Sequence, residues 1–269
     1  MIILGYIAFF FIGLLMGMIG GGGSILGVPI LVYLMSYSAQ DATGYSLFVV
    51  GLTSLIGAVS YLRKAEISAE ALFQFAISSM ITVYCMRHYV MPSIPEQFTV
   101  LGFMMKKNAV IMILFALLIL SSSISMIRKR KRSHASQAKW DNFSRTPFGK
   151  PFVVLLGVVV GVITGFVGAG GGFIIVPVLM FFVRLNFKKA IGTSLCIIAI
   201  NSLVGFAGNA STLSIDWMFL AFISAISIVG ILLGSKVAGK IHTNKLKTGF
   251  GWFTLIVGLF VFLKETFSS

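Results

Sequence analysis

Four consecutive glycines, Gly20, Gly21, Gly22 and Gly23, stand inside an apolar run that begins at the first methionine. A near-copy, Gly168-Ala169-Gly170-Gly171-Gly172, stands inside a second apolar run. A glycine in a helix interior costs about 0.5–1 kcal/mol relative to alanine, so each run breaks the helix that carries it. The surroundings make the break expensive. The chain is 58% hydrophobic and 10% charged, against about 25% charged in an ordinary soluble domain. A break at membrane depth frees backbone groups that must find partners inside the protein.

Apolar segments fill residues 2–36, 42–62, 69–91, 109–127, 151–183, 190–210, 215–235 and 248–263. Most approach the ~20 residues that cross a bilayer. The fold class expected is therefore an all-α polytopic membrane protein with about eight hydrophobic segments. The first of these has no basic n-region and no small-residue cleavage site, and reads as a retained membrane segment.

A shift of 148 residues registers the two halves without a gap. Gly13, Gly17, Gly20, Gly22, Gly23 and Pro29 fall on Gly161, Gly165, Gly168, Gly170, Gly171 and Pro177. Further on, Ala42, Gly44, Ser46, Ser54 and Gly57 fall on Ala190, Gly192, Ser194, Ser202 and Gly205. Apolar sequences match by chance at Leu or Val, but not at a series of Gly, Pro and Ser at one offset. The reading is an internal duplication: residues 1–127 form one transmembrane repeat, 151–269 the other, and 128–150 the linker. That linker carries eight of the 21 basic residues and one acid, Asp141, which marks it as a cytoplasmic loop by the positive-inside rule.

Charge also bears on topology. If every segment crosses once, basic residues divide almost evenly between the two sides. If each glycine-broken segment is a re-entrant hairpin, the halves are inverted and 17 basic residues lie inside with the linker. Only Arg87, Lys106, Lys107 and Lys264 then lie outside. This asymmetry favours inverted repeats.

Neither glycine run is a Walker A loop or a G-x-G-x-x-G register, so no nucleotide cofactor is implied. A new half-helix after a glycine gap offers free N–H groups and the positive end of its dipole, which suits an anion. Ser24 is placed to cap the first half-helix, with Gly172 at the matching position, and Pro29 and Pro177 to kink the half-helices beyond. The competing reading is close helix packing, which suits Gly13, Gly17, Gly44, Gly57 and their copies.

Hydroxyl and amide side chains could supply further donors: Thr43, Ser46, Thr53 and Ser54 are expected to face Thr193, Ser194, Asn201 and Ser202, with bonding to backbone carbonyls or a neighbouring helix an equal alternative for any one of them. Asn201 is the strongest of these, since its amide in hydrocarbon must find a partner. The expected substrate-binding set is Gly20, Gly21, Gly22, Gly23, Ser24, Ser46, Gly168, Gly170, Gly171, Gly172, Thr193, Ser194 and Asn201. All seven acids lie at or near segment ends, so no proton-relay carboxylate is available mid-membrane. Arg63 and Lys64, or Arg87 and His88, could attract an anion at a mouth, but interfacial snorkelling is the stronger reading. Cys85 and Cys196 read as small buried hydrophobes, and no catalytic or metal-binding arrangement is found. The excess of positive charge sits in loops and implies lipid headgroups rather than nucleic acid.

The glycine run, the proline six residues on and the later Ala and Thr-Ser-Leu, repeated in both halves, resemble the sulfite exporter TauE/SafE family. The second copy is the fuller match: Gly165, Gly168, Gly170, Gly171, Gly172, Pro177, Ala190, Thr193, Ser194 and Leu195. In the first copy Tyr45 replaces the threonine, and Gly230 and Gly234 have no equivalent around Ser78 to Met86, so the halves are not equivalent. The resemblance implies movement of small, often sulfur-containing anions across the cytoplasmic membrane by a secondary transporter or permease. An anionic-lipid-binding scaffold is the alternative. The sequence leaves the oligomeric state open, a homo-oligomer included.

Overall fold

The computed structural model describes residues 2–95, 97–100, 103–127, 149–168, 170–209, 215–238 and 243–267. The basic linker, apart from Gly149 and Lys150, and Ala169 lie outside the described residues.

The long apolar segments that contain the glycine runs each divide in two. Helix α1 (Ile2–Ile19) ends at the first run, and a composite helix α2 comes after it. It comprises a 3-10 turn at Gly21–Leu26, a short α turn at Gly27–Pro29 and a wide π turn at Ile30–Leu34. Pro29, which has no N–H to donate, stands at the junction where the winding loosens. The chain then doubles back: Gly23 packs on Ile12 and Met16, and Met35 on Gly5. In the second half, α6 (Gly149–Val167) ends at the second run and α7 (Gly172–Phe181) returns, bringing Phe182 beside Phe152 with ring centroids 6.2 Å apart. Helix α7 passes through Pro177 without interruption.

Between these hairpins run α3 (Ala39–Leu62), α4 (Ala69–Cys85, prolonged by a π turn at Met86–Val90 and a turn at Met91–Ser93) and α5 (Lys107–Ile127). After α7 come α8 (Phe187–Asn209), α9 (Trp217–Ala238) and α10 (Thr243–Phe267). Four of these helices are long and apolar enough to cross a membrane: Ala39–Leu62, Ala69–Ser93, Lys188–Gly208 and Trp217–Val237. Shorter apolar helices surround them. A small antiparallel hairpin, β1 (Gln97–Val100) and β2 (Phe103–Lys106), pairs Gln97 with Lys106 outside the helical body. The buried Lys107 ammonium donates to the carbonyls of Met91 (2.7 Å) and Ile94 (3.2 Å), closing the end of the α4 extension.

Positions 148 residues apart behave alike. Ser38 caps α3 by accepting from Asp41 N–H at 3.1 Å, and Asn186 caps α8 by accepting from Lys189 N–H at 2.8 Å. Ser36 and Arg184, which precede them, both have left-handed backbone, with φ of 61° and 60°.

Helices α1 and α9 lie parallel and in backbone contact, Gly13 against Ser227 and Gly234 against Leu14. Helices α6 and α4 do the same, Gly157 against Phe75 and Gly161 against Ser79. These are the small-residue seams that let helices approach in lipid. The central pair, α3 and α8, runs antiparallel: Gly51 packs on Leu203 and Gly57 reaches Leu195. Helices α5 and α10 are antiparallel too, with Ser123 Oγ donating to Thr254 Oγ1 at 2.8 Å. Cys85 is exposed, not buried as expected, and Cys196 is half-buried; neither is bridged.

Candidate functional site

The two glycine breaks touch. A β-carbon at Gly21 would overlap the backbone of Gly172, and one at Gly172 would overlap that of Gly21. Only two residues without side chains allow this approach. The contact brings the start of α2 against the start of α7, where each helix has N–H groups that find no acceptor within it.

The linings of the breaks differ. At the first, Gly20 has φ of 81° and packs on Ile191, while Gly21 meets Ile198 and Gly23 meets Ile12 and Met16. The chain rewinds at once as the 3-10 turn. At the second, Gly168, Gly170 and Gly171 all have left-handed backbone, with φ of 73°, 65° and 68°. Here the neighbours include polar groups. Gly168 meets the Arg87 guanidinium and the Thr43 side-chain carbons, and Gly171 meets the Thr164 methyl. A β-carbon on Gly170 would lie 2.6 Å from Ser202 Oγ and 2.7 Å from Val50 Cγ1. The three glycines therefore let neighbouring helices close directly on the backbone, and any side chain there would overlap atoms already in place.

Burial sharpens the contrast. Ser46, Thr53, Ser54, Ser202 and Arg87 are fully buried. The hydroxyl oxygens of those four, with Nε and Nη2 of Arg87, have no hydrogen-bond partner among the described residues. Leaving a buried donor unmatched costs about 1–3 kcal/mol. Ser202 and Arg87 face the second break, whereas Ser46 lies against α2, 2.5 Å from where a Gly27 β-carbon would stand.

Other candidate residues are engaged elsewhere. Asn201 pairs with Ser79 on α4, donating from Nδ2 at 2.9 Å while Ser79 Oγ donates to Asn201 Oδ1 at 3.1 Å. Its amide has the partner that hydrocarbon demands, and that partner is a neighbouring helix. Thr193 Oγ1 accepts from Ser68 N–H at 3.0 Å, and Ser194 Oγ donates to Ile191 C=O at 2.8 Å. Gly22 lies within the 3-10 turn. Ser24 does not cap a helix: it sits inside the same turn and donates to Gly21 C=O at 2.6 Å, because the chain rewinds three residues earlier than a cap requires. The outer hydroxyls of α3 do not face their copies on α8. The antiparallel crossing puts Thr43 and Thr193 at opposite ends of the pair.

Arg87 departs furthest from the sequence reading. Its place near a segment end predicts an interfacial, snorkelling side chain; instead it is the largest fully buried side chain in the described structure. The π turn at Met86–Val90 carries it inward, and its Nη1 donates to Thr43 Oγ1 at 3.0 Å. The sequence marks it, with His88, as a group able to attract an anion at a mouth, and places it in the segment where the halves diverge; its depth carries no sequence signal. A separate cavity of about 800 Å3 between α1, α2 and α10 is lined by apolar residues such as Phe11, Pro29 and Phe253, and offers an anion nothing.

The model of the sulfite exporter TauE/SafE family matches residues 4–261. The chain is 26% identical over 268 residues to a probable membrane transporter protein of Methanocaldococcus jannaschii, covering 94% of this chain and 92% of the relative. It is 28% identical over 254 residues to another from Xylella fastidiosa, covering 93% and 90%. With the Bacillus subtilis probable membrane transporter protein YdhB it shares 24% identity over 250 residues, covering 93% and 96%. No solved structure matches the chain. These relatives carry the names of transporters, and the apolar helices fit a multi-pass membrane protein.

Proposed function

Because the chain belongs to the sulfite exporter TauE/SafE family, we propose that it is a secondary transporter moving small, sulfur-containing anions across the cytoplasmic membrane. The observation that carries this reading is the contact of Gly21 with Gly172, where two broken helices bring their N-terminal ends together. Two positive dipole ends and a set of free N–H groups converge on one point inside the protein, an arrangement that favours anions. Gly20 to Gly23 shape one wall of the site. Gly168, Gly170, Gly171 and Gly172, with Ser202, shape the other.

The same reading takes the halves as inverted repeats. A helix and its copy that run antiparallel, as α3 and α8 do, are related by an axis in the membrane plane. Each hairpin then enters from its own side, and the linker, Arg63, Lys64, Lys188, Lys189 and Lys236 share the cytoplasmic side. Outward movement of a monoanion down an inside-negative potential gains ~2.3 kcal/mol per 100 mV. Export therefore needs no proton relay, in keeping with acids confined to segment ends.

The test is flux of radiolabelled sulfite and organosulfonates into proteoliposomes. The wild type is expected to carry at least one of them and the Gly170→Leu variant none. Neutralising Arg128, Lys129, Arg130, Lys131 and Arg132 should leave flux intact. If the wild type carries none of these anions, or if only the linker variant loses function, the protein is not the transporter proposed.

A further inference from the structure

Two cations among the described residues are buried without a carboxylate partner: Lys107, held by backbone carbonyls, and Arg87, two of whose nitrogens have no partner. Arg87 is fully buried, and among the described residues no carboxylate pairs with it. Its hydrogen bond to Thr43 does not neutralise it, and the Thr43 hydroxyl proton is already donated to Gln40 C=O at 2.8 Å. A lysine could shed its proton in such a place. A guanidinium cannot, so its charge persists in the low-dielectric interior and needs a partner.

The unpartnered nitrogens are Nε and Nη2. Together they form the side edge of the guanidinium, the one that offers two parallel N–H bonds to two oxygens of the same group. Nη2 lies against Gly168, whose left-handed backbone has φ of 73°, and a β-carbon there would overlap it. On the other side Gly208 allows close approach, with a β-carbon position 3.3 Å from Arg87 Cβ. The π turn sets the side chain at this depth, and Thr43 holds Nη1 so that the free edge is presented at the second break.

We propose that Arg87 is the charged ligand of the transported anion, and that its Nε–Nη2 edge selects oxyanions with two adjacent oxygens, such as sulfite or sulfonates, over halides. This rests on the transporter reading above and adds to it the residue that recognises charge. The substrate is the missing counterion: a bound monoanion neutralises the site, and release restores the unpaired charge.

The experiment compares wild type, Arg87→Gln, Arg87→Lys and Thr43→Asp as full-length purified proteins. The readouts are thermal stability with sulfite or chloride at equal ionic strength, and sulfite flux in proteoliposomes. Sulfite, but not chloride, should raise the wild-type Tm. Arg87→Gln should lose that shift and at least ~90% of flux, while its anion-free Tm stays level or rises because an uncompensated charge has gone. Arg87→Lys keeps the charge but not the bidentate edge, and should weaken apparent affinity about tenfold. Thr43→Asp supplies an internal counterion; it should raise the anion-free Tm and abolish the sulfite shift.

A lower anion-free Tm in Arg87→Gln with its sulfite shift retained would overturn the proposal and make Arg87 a structural residue. Undiminished sulfite affinity in Thr43→Asp would do the same. Wild-type flux with unchanged KM in Arg87→Gln would remove this inference and leave the transporter reading standing. Absence of any anion flux in the wild type would remove both.

Discussion

The two glycine breaks occupy equivalent places in the sequence and touch in the structure, yet only the second has a guanidinium and an unpartnered hydroxyl against it. The first is walled by Ile191, Ile198, Ile12 and Met16 and rewinds into a 3-10 turn. The second holds three described glycines with left-handed backbone, against Arg87, Thr43, Thr164 and Ser202. The difference teaches that a broken helix is not in itself a binding site. The break supplies backbone donors and lets other helices close on it; the side chains of those helices decide whether polar groups line it. On this account the second break binds the anion and the first closes against it.

The comparison can be broken most sharply by its geometry, since the effect is all or none. In a background lacking Cys85 and Cys196, Ser38→Cys should react with an impermeant thiol reagent only from outside, and Asn186→Cys only from inside. Labelling of both positions from one side would end the inverted arrangement.

The next effect is large but graded. Gly20→Ala and Gly170→Ala both force alanine into left-handed backbone, at about 1–2 kcal/mol each. Both should lower Tm. Gly170→Ala, which also presses on Ser202 and Val50, should weaken sulfite binding the more, by roughly tenfold or more, the equivalent of about 1.4 kcal/mol. Equal losses of affinity in the two variants would erase the distinction between the breaks.

Smaller again is the effect of single hydroxyls. Ser202→Ala should weaken sulfite binding about fivefold, in line with a net hydrogen bond of about 1 kcal/mol, without lowering Tm. Ser46→Ala, whose hydroxyl faces α2 rather than the second break, should leave affinity unchanged. The smallest expected change is in stability alone. Asn201→Ala removes the pair with Ser79 and should cost about 0.6–1.7 kcal/mol, the range of interhelical hydrogen bonds in membranes, read as a lower Tm with sulfite affinity retained.

Much of this architecture was legible in the chain. Contiguous glycines announced the helix breaks because glycine's conformational cost is local, and the structure puts the turns where the runs stand. Gly13, Gly17 and Gly161 read correctly as packing positions. What could not be read was orientation. Thr193, Ser194 and Asn201 looked like donors at a site, but Ser68 N–H, the Ile191 carbonyl and Ser79 on α4 take their hydrogen bonds. Arg87 reads as a group able to attract an anion at a mouth, but its burial does not. Its depth depends on a π turn whose extra residue rotates the side chain inward, and a composition that places arginine near a segment end predicts snorkelling instead. Residue type says what a side chain can donate; only packing says whether the donor is already taken.

The central claim, that the anion sits at the second break, is tested most directly by anomalous diffraction from crystals soaked in selenite, which has the shape and charge of sulfite and a selenium scatterer. A single strong peak is predicted within hydrogen-bonding reach of Ser202 and of the backbone at Gly168 to Gly172. A peak confined to the first break beside Ile191, or to the basic residues 128–150, would contradict it.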